Sequence, residues 1–90
     1  MKALQPTTQF RKDYKKYKNN PKKVKALKEV LELLMNEQPI PSEYSPHLLH
    51  GDYKGCMECH IQGDFLLIWI DEAKDIIGLV RLGSHSELFG

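Results

Sequence analysis

The sequence lacks several features that would assign it to a familiar class. It has no apolar run near the roughly 20 residues that cross a bilayer, and its N-terminus has no apolar stretch typical of secretion signals. We therefore expect a cytoplasmic protein with no membrane partner, in which Cys56 and Cys59 are reduced thiols. There is also no glycine-rich phosphate loop and no Ser-His-Asp signature, so these common catalytic patterns are excluded.

What the sequence contains is the composition of one small globular domain. Its 90 residues are 41% hydrophobic and 28% charged, which are ordinary values for a folded chain. A chain this short forms one modest core and no large internal pocket. We therefore predict a single domain over residues 1–90, with any chemistry in a surface groove.

The net charge of +1 hides an asymmetry along the chain. Residues 1–37 contain ten Lys or Arg and four Asp or Glu, a balance of +6, whereas residues 38–90 contain three and eight, a balance of −5. A basic N-terminal half suggests an anionic partner, such as RNA or an acidic protein. A solvated lysine face is the plainer explanation, and the charge pattern alone favours it.

Two helical patterns occupy the N-terminal half. Thr7 or Thr8 suits the N-cap of the first helix, and Asn20 suits that of the second, with Pro21 at its first position. Apolar residues recur at helical spacing in both patterns: Phe10, Tyr14, Tyr17, Val24, Leu27, Val30, Leu31 and Leu34. We predict an antiparallel helical hairpin whose apolar side needs a sheet to cover it.

From about residue 47 the apolar period becomes that of strands. We predict short strands at about 47–50, 56–61, 64–70 and 76–82, and weaker evidence suggests a leading strand at 2–6. Two helices followed by a strand meander predict an α+β fold. In it, two N-terminal helices pack on one face of a small twisted antiparallel sheet.

The turn before residue 64 determines which side chains share a sheet face. If Gln62-Gly63 is a two-residue loop, His60 lies opposite Phe65. The face toward the helices then carries Met57, Cys59, Ile61, Leu66, Ile68 and Ile70, and the other face carries Cys56, Glu58, His60, Phe65, Leu67 and Trp69. Such a strict loop turns Asp64 toward the core, and a longer turn would release it.

Titratable side chains are expected to converge at one end of this sheet. Strand pairing brings together His47, His60, Asp64, Arg81 and His85. A lone histidine at a strand end is usually a simple polar residue, but this set suits phosphodiester chemistry on RNA. Metal-free cleavage needs a base for the 2′-OH proton, donors for the phosphate oxygens and an acid for the 5′-oxygen. Histidine and arginine supply these functions, and Phe65 and Phe89 can stack on bases.

Three competing patterns are weaker. Residues 56–60 match the C-x-x-C-H haem-attachment motif, which requires export. The spacing of zinc ligands is matched by His47 and His50 together with Cys56 and Cys59. A regular strand, however, points the two thiols to opposite faces, so we favour packing in the core as the role of the cysteines. Glu58 with Asp64 forms a possible carboxylate pair whose separation nothing fixes. We predict no metal and no cofactor.

Four segments in order carry a family resemblance. They are HLLHG at 47–51, YKG at 53–55, ECHIQGDFLLI at 58–68 and RLGSHSELF at 81–89. Together they resemble the YafQ branch of the RelE-like bacterial toxins, which belong to type II toxin–antitoxin pairs. The resemblance extends over most of the chain and is densest from Pro39 onward.

The resemblance implies both an activity and a set of partners. Such toxins are small α+β proteins that enter the ribosomal A site and cut the mRNA there without a metal, leaving a 2′,3′-cyclic phosphate and a 5′-OH. The implied partners are the ribosome, mRNA and a separately encoded antitoxin of the DinJ or RelB type. The complex with the antitoxin is expected to bind operator DNA.

The resemblance also assigns functional positions. The family's histidines fall on His47, His60 and His85, its acid on Asp64, its arginine on Arg81 and its terminal aromatic, which positions a base, on Phe89. Phe65 stands where a tryptophan sometimes follows the acid, and Gly63 where a proline often precedes it.

We assign roles to these positions as hypotheses. His85 is the candidate general acid because it lies on a tail beside Arg81. Asp64 and His60 together form the candidate base. His47 and Arg81 are expected to stabilise the phosphate.

The lysines of the helical hairpin have two interpretations. The residues concerned are Lys12, Lys15, Lys16, Lys22, Lys23 and Lys25. They either hold ribosomal RNA phosphates, which would make binding strongly salt-dependent, or dock an acidic antitoxin segment. Two alternatives stay open for the whole chain: a non-catalytic RNA- or protein-binding module or a relative of the same fold with another target, and a zinc-stabilised structural domain.

Overall fold

A five-stranded sheet with helices on both sides makes up the computed structural model, which describes residues 1–90 apart from the side chain of Ala73. The elements in chain order are β1 (Ala3–Pro6), α1 (Thr8–Lys15), α2 (Pro21–Met35), β2 (His47–Leu48), β3 (Met57–Gln62), β4 (Phe65–Ala73), β5 (Ile76–Gly83) and α3 (His85–Phe89). The strand order is β1-β5-β4-β3-β2. Within the described part of the chain, helices of the length and apolarity needed to span a membrane do not occur.

The two N-terminal helices begin where the sequence predicts. The Thr7 side chain accepts a hydrogen bond of 3.0 Å from the Phe10 backbone N–H, and Asn20 accepts one of 3.2 Å from Lys23 N–H. These bonds satisfy backbone donors that a helix start leaves unpaired. The predicted helices and their apolar stripe are confirmed, because the helix residues that become buried in the core are Phe10, Leu27, Val30 and Leu34.

The sheet is mixed rather than purely antiparallel. Strands β2 to β5 form the predicted antiparallel meander, but β1 pairs parallel with β5. The chain then continues along the same edge, where Thr7 N–H donates to Leu79 O at 2.9 Å and the Thr7 hydroxyl donates to Val80 O at 3.0 Å. Helix α1 therefore lies beside β5 and protects an edge that would otherwise expose unpaired backbone groups.

The register between β3 and β4 corrects the predicted faces. His60 pairs with Leu66 and Gln62 with Phe65, so the turn is 63–64 and the register shifts between residues 60 and 62. A loop one residue later would by itself keep the predicted faces, but the irregularity between residues 60 and 62 puts His60 opposite Leu66 instead of Phe65. This shift of one residue turns the side chains of β4 to the opposite face. Phe65, Leu67 and Trp69 therefore face the helices, and Leu66, Ile68 and Ile70 face away from them.

Two apolar clusters lie on the two sides of the sheet. The larger one, on the helix side, consists of Phe10, Leu27, Val30, Leu34, Cys59, Ile61, Phe65, Leu67, Trp69, Ile77, Leu79 and Leu82. The smaller one, on the opposite side, contains Cys56, Leu66, Ile68 and Leu88. The two cysteines thus belong to different clusters and are free thiols, as predicted from the alternation of the strand. Burial raises the pKa of Cys59 to about 12, which is typical of an inert packing residue.

A short C-terminal helix replaces the predicted tail. Ser84 and Glu87 form a reciprocal capping box, in which Glu87 N–H donates to Ser84 Oγ at 3.2 Å and Ser84 N–H donates to Glu87 Oε1 at 2.8 Å. The Tyr17 hydroxyl also donates to Glu87, which anchors α3 to the end of α1. These bonds lower the pKa of Glu87 to about 2, with the Tyr17 contact as the largest cause. His85 is therefore held on an anchored helix.

Candidate active site

A buried carboxylate joins two of the predicted histidines. His47 pairs with Glu58 across β2 and β3, and its Nε2 lies 3.2 Å from Glu58 Oε1. The same oxygen lies 3.7 Å from His60 Nε2. The Glu58 side chain is only 2% exposed, whereas the imidazoles are 46% and 37% exposed. The site therefore combines a buried carboxylate with two solvent-accessible imidazoles.

The position of one proton follows from these contacts. His47 Nδ1 lies 2.8 Å from Ser45 O, and because a carbonyl only accepts, Nδ1 carries a proton. Its Nε2 faces a carboxylate oxygen, which also accepts when ionised. A stable contact then requires a further proton between His47 Nε2 and Glu58 Oε1. The pair thus shares one proton and is neutral overall.

Glu58 is the residue whose importance sequence reasoning missed. Its Oε2 atom is buried and has no hydrogen-bond partner among the described residues. A buried carboxylate oxygen without a partner is costly, and proteins retain such groups mainly where function requires them. The available signal was strand alternation, which puts Glu58 on the same sheet face as His60.

The turn residue Asp64 contacts His85. Its Oδ1 accepts a hydrogen bond of 2.9 Å from His85 N–H and lies 3.2 Å from His85 Nδ1. The backbone hydrogen bond, followed by that of the ring, lowers the pKa of Asp64, so the carboxylate is ionised at neutral pH. Gly63 makes this turn possible because its φ of +57° is a conformation that side chains disfavour.

The three predicted histidines form a row. The ring centroids of His47 and His60 are 6.2 Å apart, and those of His60 and His85 are 5.6 Å apart. The row continues to Phe89, whose ring lies 5.7 Å from His85 and which is 47% exposed. The structure thus brings together His47, His60, Asp64, His85 and Phe89, and adds Glu58. We call these six residues the histidine row.

Arg81 reaches this row only indirectly. Its Nε donates to Asp13 Oδ2 at 2.8 Å and its Nη1 donates to the Tyr53 hydroxyl at 3.1 Å. The Tyr53 ring packs edge-on against Phe89, with centroids 5.6 Å apart. The hydrogen bond with Asp13 is the main cause that raises the pKa of Arg81. Arg81 is thus a neighbour of the row and does not directly contact its histidines in the described structure.

Phe65 does not join the row, contrary to its predicted role. It is 1% exposed on the helix side of the sheet, and its ring centroid lies 4.8 Å from that of Tyr17. A ring buried in the core cannot stack on a base unless the core opens. The prediction of base stacking by Phe65 is therefore not supported, and the one-residue error in register is the reason.

The six predicted lysines lie on the helical hairpin, and all but Lys23 are exposed. Lys23 Nζ lies 5.2 Å from the centroid of the Phe65 ring, and Lys16 Nζ lies 3.6 Å from Glu87 Oε2. These two lysines are therefore near the end of the molecule that carries α3.

A divalent metal would find suitable ligands in the histidine row. Glu58, His60 and His85 each offer a ligand atom, and these atoms lie within 4.8 Å of one another. We call these residues the triplet. Imidazole suits copper, nickel and zinc, and zinc also takes carboxylate oxygens. The triplet therefore fits a metal as well as acid–base chemistry.

Comparison with known proteins identifies the family. Residues 2–90 match a family described as "Bacterial toxin of type II toxin-antitoxin system, YafQ". The chain is 35% identical over 83 residues to the mRNA interferase toxin YafQ of Escherichia coli K12, covering 91% of this chain and 89% of that protein. It is 42% identical to a YafQ protein of Haemophilus influenzae over 57 residues, which span 60% of this chain and 56% of that protein.

Solved structures agree with the sequence relatives. The toxin in a crystal structure of the E. coli DinJ–YafQ complex superposes with a TM-score of 0.86 at 31% identity, over all of both chains. A metal-bound toxin from Helicobacter pylori has a TM-score of 0.87 at 39% identity, over 99% of this chain and 100% of that one. The α+β fold and the predicted resemblance are confirmed, and the chain belongs to the YafQ family of bacterial toxins of type II toxin–antitoxin systems.

Proposed function

We propose that this chain is an endoribonuclease toxin that cleaves mRNA in the ribosomal A site and so inhibits translation. The observation that carries the proposal is the histidine row, in which two half-exposed imidazoles contact a buried carboxylate and a third contacts Asp64. The E. coli relative named an mRNA interferase supports the same reaction class.

The contacts favour His60 as the general base. His60 Nε2 lies 3.7 Å from Glu58 Oε1, and the carboxylate stabilises the imidazolium that forms when the ring accepts a proton. His60 takes the proton from the 2′-OH, and the 2′-oxygen then attacks the adjacent phosphorus. The sequence-based hypothesis pairs Asp64 with His60, but Asp64 contacts His85, which supports placing it on the acid side of the proposed reaction.

The same geometry favours His85 as the general acid. Asp64 faces Nδ1 of His85, which leaves Nε2 of the protonated ring to donate its proton to the 5′-oxygen. The P–O5′ bond breaks, and the products are a 2′,3′-cyclic phosphate and a 5′-OH. His47 is proposed to stabilise the phosphate oxygens by turning its Nε2–H from Glu58 to the substrate, and exposed Phe89 stacks on a neighbouring base.

Alanine variants of the row test this proposal. His85→Ala and His60→Ala should each slow single-turnover cleavage of ribosome-bound mRNA by about 10²–10⁴-fold. The matched control is His50→Ala, because His50 is exposed and lies outside the row. Cleavage at the parental rate by His85→Ala would refute the acid assignment. Ribosome binding without any cleavage by the parent would favour the alternative of a non-catalytic binding module.

A groove between the helices and β1 suits the antitoxin. It has a volume of about 530 Å³ and contains apolar side chains such as Phe10 and Leu27, surrounded by Arg11, Lys15, Lys18 and Lys28. This combination complements an amphipathic segment with acidic residues. The E. coli relative is complexed with DinJ, and for this chain we propose a DinJ- or RelB-like antitoxin whose complex with the toxin binds operator DNA.

Charge reversal distinguishes the two interpretations of the lysines. Replacing Lys15, Lys18 and Lys28 by Glu should weaken antitoxin binding at least about tenfold, because it removes charge complementarity around the groove. Replacing Lys16, Lys22 and Lys25 by Glu should instead weaken ribosome binding and reduce its salt dependence. If the first variant binds the antitoxin as tightly as the parent, the groove is not its docking site. Parental ribosome affinity in the second variant would exclude the ribosomal role.

A further inference from the structure

A second buried carboxylate lies outside the histidine row. Asp13, on α1, is 1% exposed and accepts four hydrogen bonds. Arg81 Nε and Leu82 N–H donate to Oδ2 at 2.8 and 3.0 Å, and Arg81 Nη2 and Gln9 Nε2 donate to Oδ1 at 3.3 and 3.1 Å. Burial would raise the pKa of Asp13, but the hydrogen bonds from Arg81, Leu82 and Gln9 outweigh it and lower the pKa. Asp13 is therefore an ionised partner held against one edge of the guanidinium.

A second contact holds Arg81 from the other side. Its Nη1 donates to the Tyr53 hydroxyl at 3.1 Å, and Tyr53 in turn donates to Leu88 O at 3.4 Å. Tyr53 also packs edge-on against Phe89. The guanidinium is thus held between α1 and the short helix that carries His85.

The remaining donors of Arg81 can be counted. A guanidinium has five N–H groups, and Asp13 and Tyr53 together use three of them. Two N–H groups, one on each terminal nitrogen, have no partner among the described residues. The Arg81–Asp13 pair is neutral overall, so its value to a substrate lies in oriented donors rather than in net charge.

We propose that Asp13 and Tyr53 are positioning residues that fix Arg81 so that its two remaining donors face the scissile phosphate. This inference rests on the proposed cleavage of RNA and deepens it. If Arg81 acted only as a charge, removing the negative Asp13 would strengthen RNA binding. If Arg81 acts through oriented donors, removing Asp13 slows the chemical step and leaves binding nearly unchanged.

The test compares kcat with KM for ribosome-bound mRNA. Asp13→Asn keeps an acceptor for Leu82 N–H but loses the charge that orients Arg81. We expect kcat to fall at least about tenfold with KM changed less than about threefold. Asp75→Asn, at an exposed carboxylate in the turn between β4 and β5, is the control and should match the parent. Parental kcat in Asp13→Asn, or a lower KM with unchanged kcat, would overturn the inference.

A double-mutant cycle separates positioning from general loss of structure. Because Asp13 acts through Arg81, Asp13→Asn should slow an Arg81→Ala enzyme no further. Multiplied losses in the double variant would contradict positioning. Where Asp13→Asn does not fold, Tyr53→Phe decides, because it removes only one hydroxyl: its kcat should fall about threefold or more in the parent and not in Arg81→Ala. An equal loss in both backgrounds would refute the inference.

The outcome is separable from that of the proposed function. Cleavage by the parent and its loss in His85→Ala test the nuclease itself. If those two results hold and Asp13→Asn and Tyr53→Phe are both as fast as the parent, the nuclease stands and only the positioning role fails.

Discussion

Replacing Glu58 by methionine should stabilise the protein and inactivate it. The Glu58 side chain is 2% exposed, and its Oε2 lacks a partner among the residues described. A buried polar atom left unpaired costs about 1–3 kcal/mol. Methionine has a similar length and brings no polar atom, so the substitution removes that cost.

The contacts that methionine would lose are weaker. Glu58 Oε1 lies 3.2 Å from His47 and 3.7 Å from His60, and both imidazoles are partly exposed and can turn to water instead. Pairs of this kind contribute about 0–1 kcal/mol. The midpoints of these two ranges, about 2 and about 0.5 kcal/mol, give a net gain of about 1.5 kcal/mol. For a chain of this length each kcal/mol corresponds to about 4–8 °C in Tm, so the Tm should rise by roughly 6–12 °C.

Activity should change in the opposite direction. Without the carboxylate, the imidazolium form of His60 loses its stabilising partner, and the proton shared with His47 is lost. We expect single-turnover cleavage of ribosome-bound mRNA to fall by about 10²-fold. Thermal unfolding and the cleavage assay on one preparation check both effects, and Glu43→Met, at an exposed position, should change neither. A lower Tm for Glu58→Met would refute the reasoning, since the imidazole contacts would then outweigh the desolvation of the carboxylate.

Three further predictions concern pH, metals and the turn. The hydrogen bonds of Glu87 lower its pKa from 4.5 to about 2, so they stabilise the folded protein above about pH 4.5. This stabilisation is lost as the pH falls from about 4.5 to 2, and Glu87→Gln should therefore flatten the acid limb of a Tm–pH profile. Copper should inhibit cleavage, and EDTA should leave the metal-free enzyme fully active, because a metal on the triplet occupies the imidazoles needed for proton transfer. Gly63→Ala should cost about 1 kcal/mol in urea unfolding, because Gly63 has a positive φ.

The parts of the fold with local signals were predictable from the sequence. Helices α1 and α2 have side-chain caps at Thr7 and Asn20 and a helical apolar period, and all of these are properties of neighbouring residues. The short helix α3 was missed, although its Ser84-x-x-Glu87 capping pattern is also local. A helix of five residues has too few apolar positions for periodicity to reveal it.

Long-range contacts were not predictable in the same way. Asp13 lies in a basic segment, after Arg11 and Lys12, and its burial depends on Arg81, which is 68 positions away. Glu58 likewise becomes a buried carboxylate only because β2 and α3 cover that end of the sheet. Sequence spacing placed the histidines near one another, but it could not indicate which carboxylate each of them contacts.

The hairpin between β3 and β4 explains why Phe65 lies in the core, contrary to prediction, and why Asp64 contacts His85. The two-residue loop is 63–64, with positive φ at the first residue, where a type II′ hairpin takes glycine. The irregularity between residues 60 and 62 shifts the register by one residue, so Phe65 begins β4 facing the core. Asp64 stays in the turn, where it reaches His85. Glu58 and His60, two residues apart on β3 before the irregularity, keep a common face. One local distortion therefore removes the Phe65 ring from the row, while Asp64 in the turn contacts the proposed acid His85.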